Sequence, residues 1–500
     1  MNEFKSPFSS RCIFIILIFA LCVLAHGGWL HTFGTDEDDY LSTGIETADG
    51  EFLMVGYSQS ADGDYDVWCL WLDENGNEIH STTYGGEYDD KAYGVAKIDD
   101  GFIMVGETKS FGRGIPGYSN CFIIRIDTLG ESIWQYPAVD DTTSCGEYDD
   151  CFYRVACVPD DTICVAVGQY WVDFSSSRQE PAIFKFNPYS ADAPDGDIAA
   201  VAGGSYNDEF KDILIADETL FACGMTKSTG TGTPIYSNGY LVSLNNELDV
   251  QSSATFGGEN NDEFLAIQYD DEILYLVGKT TSFGVDMDDI YVLLYSIDSG
   301  VISEFTVGGI YTDVGVDICP VPTEEEDFIL LSKSNSVGAG YDDFYLLRAN
   351  IDGDIIWEQT YGGMNNDWAS SLVQLGDGLL LIGSSSSAEL GTTGWDGMVV
   401  KVNFDGDTTS SIAEITPPNR PVMSIYPNPF NRICKIEIPF FSDSDCAVKI
   451  LDLSGNIIDN LNSRDGIAIW QPSENIRSGV YLVKAKTDRQ ILIRKVFLMK

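Results

Sequence analysis

Histidine is almost missing from this chain: His26, His31 and His80 are the only three in 500 residues, all toward the N-terminus. That leaves little material for a nucleophile–histidine pair or for a histidine-rich metal centre. Basic residues are scarce too. Lys and Arg number 28 against 78 Asp and Glu, a formal net charge of −50. The deficit is uneven, since residues 28–421 hold 15 basic and 69 acidic residues while 422–500 hold 11 and 8. So acidic a body repels nucleic acid and anionic membrane surfaces, and neither is expected as a partner. Solubility alone accounts for the charge, although divalent cations or basic partners would be drawn to it. Long apolar runs are confined to residues 12–24, too few to span a bilayer comfortably. That run follows Lys5 and Arg11 and precedes the small residues Ala25, Gly27 and Gly28, the grammar of a signal peptide over 1–27. No basic stop-transfer flank favours a membrane anchor, and the bulky Leu21 before Cys22 speaks against lipoprotein processing. The mature chain is expected to carry no transmembrane segment. A phosphate-cradling glycine loop ahead of a helix is lacking, as is any convincing amphipathic helix between 28 and 421.

What is present is a folding composition, 44% hydrophobic and 12% aromatic with 49 Gly for turns. It is also periodic. Units open on an aromatic or Thr and Gly-Gly, as at Thr83-Tyr84-Gly85-Gly86, Thr255-Phe256-Gly257-Gly258 and Thr360-Tyr361-Gly362-Gly363. A few residues on comes an Asp, seven times over: Asp39, Asp90, Asp150, Asp208, Asp262, Asp313 and Asp367, spaced 51 to 60 residues apart. Each unit then has an apolar run ending near Gly, such as FLMVG (52–56) or LYLVG (274–278), a polar loop, and a second run such as CFIIRID or FYLLRAN. Runs of four to seven β-branched, aliphatic and aromatic residues bounded by Gly, Asp, Asn and Ser are strands, not helices. Fifty residues and four strands make one propeller blade, so the fold expected for 28–408 is an all-β, seven-bladed propeller. The segment 29–34 matches one that elsewhere ends a repeat (Trp134; Trp357-Glu358-Gln359-Thr360), whereas the last repeat runs into Thr408-Thr409-Ser410-Ser411 without it. The N-terminal strand is therefore expected to complete the seventh blade and remove two open sheet edges.

Removing the signal leaves ten of the twelve cysteines, an even number suited to an oxidising compartment. Cys157 and Cys164 flank Pro159-Asp160-Asp161, where a hairpin would bring them within bonding reach, and Cys434 and Cys446 could staple the C-terminal region. Cys145, Cys151, Cys157 and Cys164 lack the paired spacing and nearby histidine of a zinc site. Residues 409–421, with Pro417, Pro418 and Pro421, read as a linker, and beyond it short strands suggest a small antiparallel sandwich.

The tail carries the most specific motif. Ser424-Ile425-Tyr426-Pro427-Asn428-Pro429-Phe430-Asn431, then Ile450-Leu451-Asp452-Leu453-Ser454-Gly455, then Ser478-Gly479-Val480-Tyr481 and the basic finish through Lys500 resemble the type A sorting domain of the type IX secretion system. The resemblance covers 422–500 and implies an Ig-like sandwich that directs a folded passenger to the type IX machinery. It places the protein in the medium or on the outer surface of a Gram-negative-type bacterium. Arg432-Ile433-Cys434 departs from the family's usual turn. The body resembles bacterial propeller repeats of the pattern W-x-x-T-[FY]-G-G-x-x-x-D, best kept in the second repeat through Asp90, Asp100-Gly101-Phe102, Gly106-Glu107-Thr108 and 122–127. That group has no single activity, so the resemblance implies fold and export rather than chemistry.

Among chemical candidates, the seven Asp could form a cation-binding rim, but their presence in every unit favours turn caps that accept backbone N–H groups. The one cofactor the sequence offers is Ca²⁺, at Asp62, Asp64 and Asp66, where oxygen ligands alternate but Val67 stands in place of the usual glycine. Asp127, Gly130 and Trp134 fall one position short of a sialidase Asp-box. Two functions of different class follow. One is a non-catalytic binding or adhesion module, monomeric, taking glycans or proteins on loop aromatics Tyr118, Trp171, Tyr236 and Trp395. The other is a polysaccharide-active enzyme with paired carboxylates on one face.

Overall fold

The computed structural model describes residues 28–408 apart from 48–49, 113–117, 138–148, 159–161, 172–177, 192–198, 201–202, 217–218, 231–234, 285–286 and 322–326. In the C-terminal region it describes 424–426, 430, 432–437, 447–451, 457–463, 466–473, 475–486 and 491–498. The signal peptide expected over 1–27 and the linker expected over 409–421 lie outside these residues.

Among the described residues the chain is all-β, with a single 3₁₀ turn at Ala388–Leu390. The strands of the body group into seven four-stranded antiparallel sheets. Sheet 1 takes Asp39–Glu46, Phe52–Gln59, Tyr65–Leu72 and Glu78–Tyr84 in chain order. Sheets 2 to 7 begin in the same way at Asp90–Ile98, Cys151–Cys157, Asp208–Ala216, Asp262–Asp270, Asp313–Pro320 and Asp367–Gln374. The first, inner strand of each sheet packs against the inner strand of the next, and that of sheet 7 returns to that of sheet 1. The circle closes as the sequence suggests: Trp29–Phe33 is the outermost strand of sheet 7, paired from Trp29↔Lys401 to Phe33↔Gly397. Trp29 is buried there, its indole Nε1 donating to Glu74 O across the seam at 3.2 Å.

Burial follows the same circle. Seven hydrophobic clusters fill the seven gaps between neighbouring sheets. One joins Val55 and Cys69 of sheet 1 to Met104 and Phe122 of sheet 2, and another joins Leu380, Ile382 and Val399 of sheet 7 to Leu41 and Phe52 of sheet 1. A fully buried Leu or Phe contributes about 1.5–3 kcal/mol, so each gap stands on its own core and the ring on their sum. The continuous apolar runs seen in sequence arise here, because second and third strands are covered on both faces.

A β-bulge interrupts every inner strand at the same place, between the second and fourth residues after the repeat Asp position (Leu41/Thr43, Ala92/Gly94, Phe152/Arg154, Phe210/Asp212, Phe264/Ala266, Gly315/Asp317, Ala369/Ser371). The bulge explains the glycine that ends the second-strand motif. At Gly56, Gly106, Gly168, Gly224, Gly278 and Gly383 a Cβ would lie 1.9–2.1 Å from the inner strand's carbonyl oxygen. Sheet 6 has Ser332 at that register position and relocates the glycine to its inner-strand partner, Gly315. The extra residue of each bulge is left outside the ladder.

Cys157 and Cys164 form a disulfide, as the hairpin reading expects. Cys434 is a buried free thiol, so the suggested staple is not made through it, and Cys446 and Cys145 lie outside the described residues. The C-terminal region has a three-stranded sheet (Ser424–Tyr426, Cys434–Glu437, Ile467–Trp470) and a four-stranded one (Ile457–Asn462, Ala447–Leu451, Gly479–Lys486, Ile491–Leu498). One core containing Phe430, Ile436, Val448, Trp470, Tyr481 and Val496 is shared between them.

Candidate functional site

The repeat Asp residues stand at the head of the inner strands and are buried in all seven sheets. Asp208 shows what they do. Its Oδ2 accepts from Gly204 N at 2.9 Å and Ser228 Oγ at 2.6 Å, and its Oδ1 accepts from Lys227 N at 3.1 Å and from Thr226 Oγ1. Asp90, Asp262, Asp313 and Asp367 accept likewise from Gly86, Gly258, Gly309 and Gly363 N at 2.7–2.8 Å, and Asp150 accepts from Trp171 N at 2.7 Å. These carboxylates fasten the Gly-Gly turn to the second strand, and the turn-cap reading of the sequence describes them.

Asymmetry begins one residue further on. The position after each repeat Asp carries Tyr40, Lys91, Cys151, Glu209, Glu263, Val314 and Trp368, and the bulge position carries Ser42, Tyr93, Tyr153, Lys211, Leu265, Val316 and Ser370. Six rings from sheets 7, 1, 2 and 3 form an unbroken arc there. The centroid spacings are 4.2 Å for Trp368–Trp395, 5.6 Å for Trp395–Tyr40, 5.1 Å for Tyr40–Tyr57, 6.3 Å for Tyr57–Tyr93 and 6.1 Å for Tyr93–Tyr153. A cavity of about 330 Å³ opens beside the arc, lined by Tyr40, Leu41, Ser42, Tyr57, Tyr93, Tyr153, Arg154, Trp368, Ser370 and Ser384. It lies at the small end of ligand-pocket volumes and joins apolar faces to a few fixed polar groups, as such pockets do.

Paired charges lie next to the rings of this cup, outside the lining of the cavity. Lys91 Nζ lies over the Tyr57 ring at 5.3 Å and 3.5 Å from Glu107, and Glu107 also accepts from Tyr93 Oη at 2.9 Å. Lys211 Nζ sits 4.1 Å over the Tyr153 ring, 3.1 Å from Glu209 and 3.6 Å from Glu263, and Lys279 holds Glu263 at 3.3 Å. Burial opposes the Lys211 charge, but the two glutamates outweigh it and its pKa rises, while burial raises that of Glu209. Burial pushes Tyr57 up to about 12 and raises Tyr40, Tyr93 and Tyr153 as well, so the phenols of the cup are neutral.

The residue after the bulge links neighbouring inner strands in five of the sheets, through Thr43, Arg154, Asp212, Asp317 and Ser371. Arg154 Nη1 donates to Tyr93 O at 2.6 Å, and its Nε lies 3.9 Å from Asp212. Asp212 accepts from Ile267 N at 2.9 Å, Asp317 from Leu372 N at 2.8 Å and Ser371 Oγ at 3.1 Å, and Ser371 meets Thr43 at 3.1 Å. Burial pushes Asp212 up to about 6 against the pull of Arg154.

Of the four loop aromatics named from sequence, Trp395 belongs to this arc. None of the four, Trp395, Tyr118, Trp171 or Tyr236, is among the residues lining the cavity. Tyr40, Tyr57, Tyr93, Tyr153 and Trp368 were missed because they sit on strands, beside a structural Asp, where apolar residues read as core. Asp62, Asp64 and Asp66 do not converge. Asp62 is exposed in the turn between two strands of sheet 1, Asp64 accepts from Ser60 Oγ, and Asp66 lies within sheet 1 with one oxygen against Gly85. Among the described residues no three Asp, Glu, His or Cys side chains gather as a cation shell would. Asp127 accepts from Leu129 N and Glu131 N at 2.8 and 2.9 Å, an Asx turn, with Trp134 buried beyond it. In the tail, Phe430 and Tyr481 are core, Tyr481 Oη donates to Arg477 O at 2.8 Å, and Gly479 opens a strand. Tyr426 lies in a short strand, while Pro427, Asn428, Pro429, Gly455 and Lys500 fall outside the described residues.

Residues 424–499 match the secretion system C-terminal sorting domain. The tail therefore carries a sorting signal of the type IX secretion system, and the protein is secreted or displayed on the outer-membrane surface of a Gram-negative-type bacterium. No curated protein matches the chain. Among solved structures, the chain is similar to a fungal alcohol oxidase of the AA5 family in complex with copper, at 11% identity and TM-score 0.43, over 95% of this chain and 99% of that one. It is also similar to a puromycin hydrolase variant (12%, TM-score 0.43, 79% and 58%) and to an acylaminoacyl peptidase of Pyrococcus horikoshii (10%, TM-score 0.39, 80% and 57%). Likenesses this distant carry no reading of chemistry.

Proposed function

We propose that residues 28–408 form a seven-bladed β-propeller that acts, outside the cell, as a glycan-binding module, and that residues 422–500 form an Ig-like sandwich addressing it to the type IX machinery. The observation that carries the binding reading is the arc of six rings beside a cavity that joins apolar faces to a few polar groups. Sugars present apolar C–H faces and equatorial hydroxyls together, so they suit rings flanked by fixed donors and acceptors. The Ser42, Ser370 and Ser384 hydroxyls and the Arg154 guanidinium, all of the cavity lining, supply such groups. The neighbouring glutamates Glu107, Glu209 and Glu263 are each paired with a lysine, which argues against their serving in proton transfer.

A glycan array probed with the full chain and with Tyr57→Ala tests this. Binding of a discrete set of glycans by the native protein, lost in Tyr57→Ala, is expected. Silence of the array, or equal binding by both proteins, would overturn the reading. Release of reducing ends from a bound glycan would turn it toward the polysaccharide-active enzyme.

A further inference from the structure

We infer that the glycan taken at the arc carries a carboxylate, and that Arg154 is the residue that recognises it. The inference rests on the glycan reading above and deepens it to a class of sugar. It starts from the lining of the cavity. Residues 28–421 hold 69 acidic and 15 basic residues, yet the lining contains no Asp or Glu, and its one charged side chain is Arg154. The other polar groups there are hydroxyls of Tyr and Ser, which can donate to an anion. Ser384 Oγ accepts from Leu41 N at 3.1 Å, which leaves its O–H proton for another acceptor.

The second observation is how Arg154 is held. Four arginines of the body are described, and the other three are closely paired with carboxylates. Arg125 Nη2 lies 2.8 Å from Asp100, Arg348 Nη2 lies 2.6 Å from Asp327, and Arg178 pairs with Glu180. Arg154 differs. Its ion-pair partner Asp212 stays 3.9 Å from Nε, beyond hydrogen-bond distance. That carboxylate is engaged elsewhere, with Oδ1 accepting from Ile213 N at 2.8 Å and Oδ2 from Ile267 N at 2.9 Å. Arg154 Nη1 donates to Tyr93 O at 2.6 Å and to Tyr153 O at 3.4 Å, and these carbonyls fix the guanidinium without neutralising it. Among the described residues Nη2 donates to none. The guanidinium fork matches a carboxylate, and such charge-assisted bonds are about twice as strong as neutral ones. A sugar acid can therefore lay its C–H face on the rings while its carboxylate meets Arg154. The negative body opposes its approach, but exposed charges more than about 10 Å away are largely screened at ~0.1 M salt. Closer by, Glu107, Glu209 and Glu263 are matched by Lys91, Lys211 and Lys279.

The test removes the carboxylate from the ligand, then the guanidinium from the protein. The full chain is titrated with fragments of polygalacturonate and alginate, whose acids are internal uronates, and with sialyllactose, whose acid is terminal. Each is paired with its carboxyl-reduced form, in which the carboxylate becomes a hydroxymethyl group on the same sugar. Neutral and sulfated galactan fragments run beside them. The inference expects at least one carboxylated glycan to bind about tenfold or more tightly than its reduced form. The pair that shows the preference tells an internal acid from a terminal one. In Arg154→Gln the preference should disappear, whereas Tyr57→Ala should weaken acid and reduced forms alike. Equal or tighter binding of every reduced form, or a preference intact in Arg154→Gln, would overturn the inference while leaving glycan binding standing. Binding of the sulfated fragments with none of the carboxylated ones would overturn it as well. Binding of no glycan, charged or neutral, would overturn the glycan reading and this inference with it. A melting curve shows whether Arg154→Gln folds. Where it does not, Arg154→Lys keeps the charge without the fork, and full retention of the preference there would count against the inference.

Discussion

An aspartate stands at the head of the inner strand in all seven sheets, as its first residue in six and just before it in sheet 3, and the residues one and three places later are nowhere uniform. The aspartates are buried, and Asp208 for one accepts from turn N–H and hydroxyl donors on both oxygens. Their neighbours, a few ångströms away, are Tyr, Ser and Trp lining a cavity in one part of the ring, with Lys and Glu paired beside it, and Leu or Val in another part. The same backbone therefore separates two tasks by sequence position alone. What every sheet needs is repeated. What a ligand needs departs from the repeat, and it departs mainly in sheets 7, 1, 2 and 3.

That division can be broken from either side. The largest effect is expected at the closure: deleting residues 28–35 takes the outer strand from sheet 7, exposes its edge and removes Trp29 from the seam core. The cooperative melt of the body should be lost, and an unchanged melting curve would refute the closure. Next comes the uniform layer. Asp208→Ala strands several buried donors, at roughly 1–3 kcal/mol for each one left unsatisfied, and denaturant melts should show a loss of this order. In the variable layer the signs reverse. Trp368→Ala should weaken glycan binding tenfold or more, about 1.4 kcal/mol, in a titration, with little change in the melt.

The smallest expected effect concerns pH. Asp66 and Asp396 each lie beside the repeat Asp of the next sheet, with one oxygen packed against Gly85 or Gly34. Burial first, then the neighbouring carboxylates, raises both to about 6 from 3.8. With a folded pKa above the unfolded one, their ionisation penalises the fold. The penalty is absent below pH 3.8, grows as pH rises through about 6 and stays in full above it. Asp396→Asn should therefore raise the melting temperature at neutral pH, with a gain that fades on acidification. A gain independent of pH would assign the effect to something other than charge.

Much of the ring was legible in the sequence, because its causes are local and repeated. Runs covered on both faces are apolar throughout, the bulge demands a glycine opposite it, and the unmatched segment at 29–34 announces the strand that sheet 7 lacks. The cup was not legible in the same way. Tyr93 and Tyr153 reach it only because a bulge removes them from the ladder, and a bulge leaves no mark on the residue it displaces. Tyr40 and Trp368 read as ordinary strand residues until the circle sets them beside Trp395. The signal was nonetheless present as variation at fixed offsets from an invariant Asp. Searching the loops for asymmetry found Trp395 alone.

The most direct test of this account is side-chain oxidation footprinting of the full chain with and without a glycan that binds it. Protection is expected at Tyr40, Tyr57, Tyr93, Tyr153, Trp368 and Trp395, with Tyr118, Trp171 and Tyr236 unchanged. Protection confined to those last three would place the ligand on the peripheral loops and contradict the account.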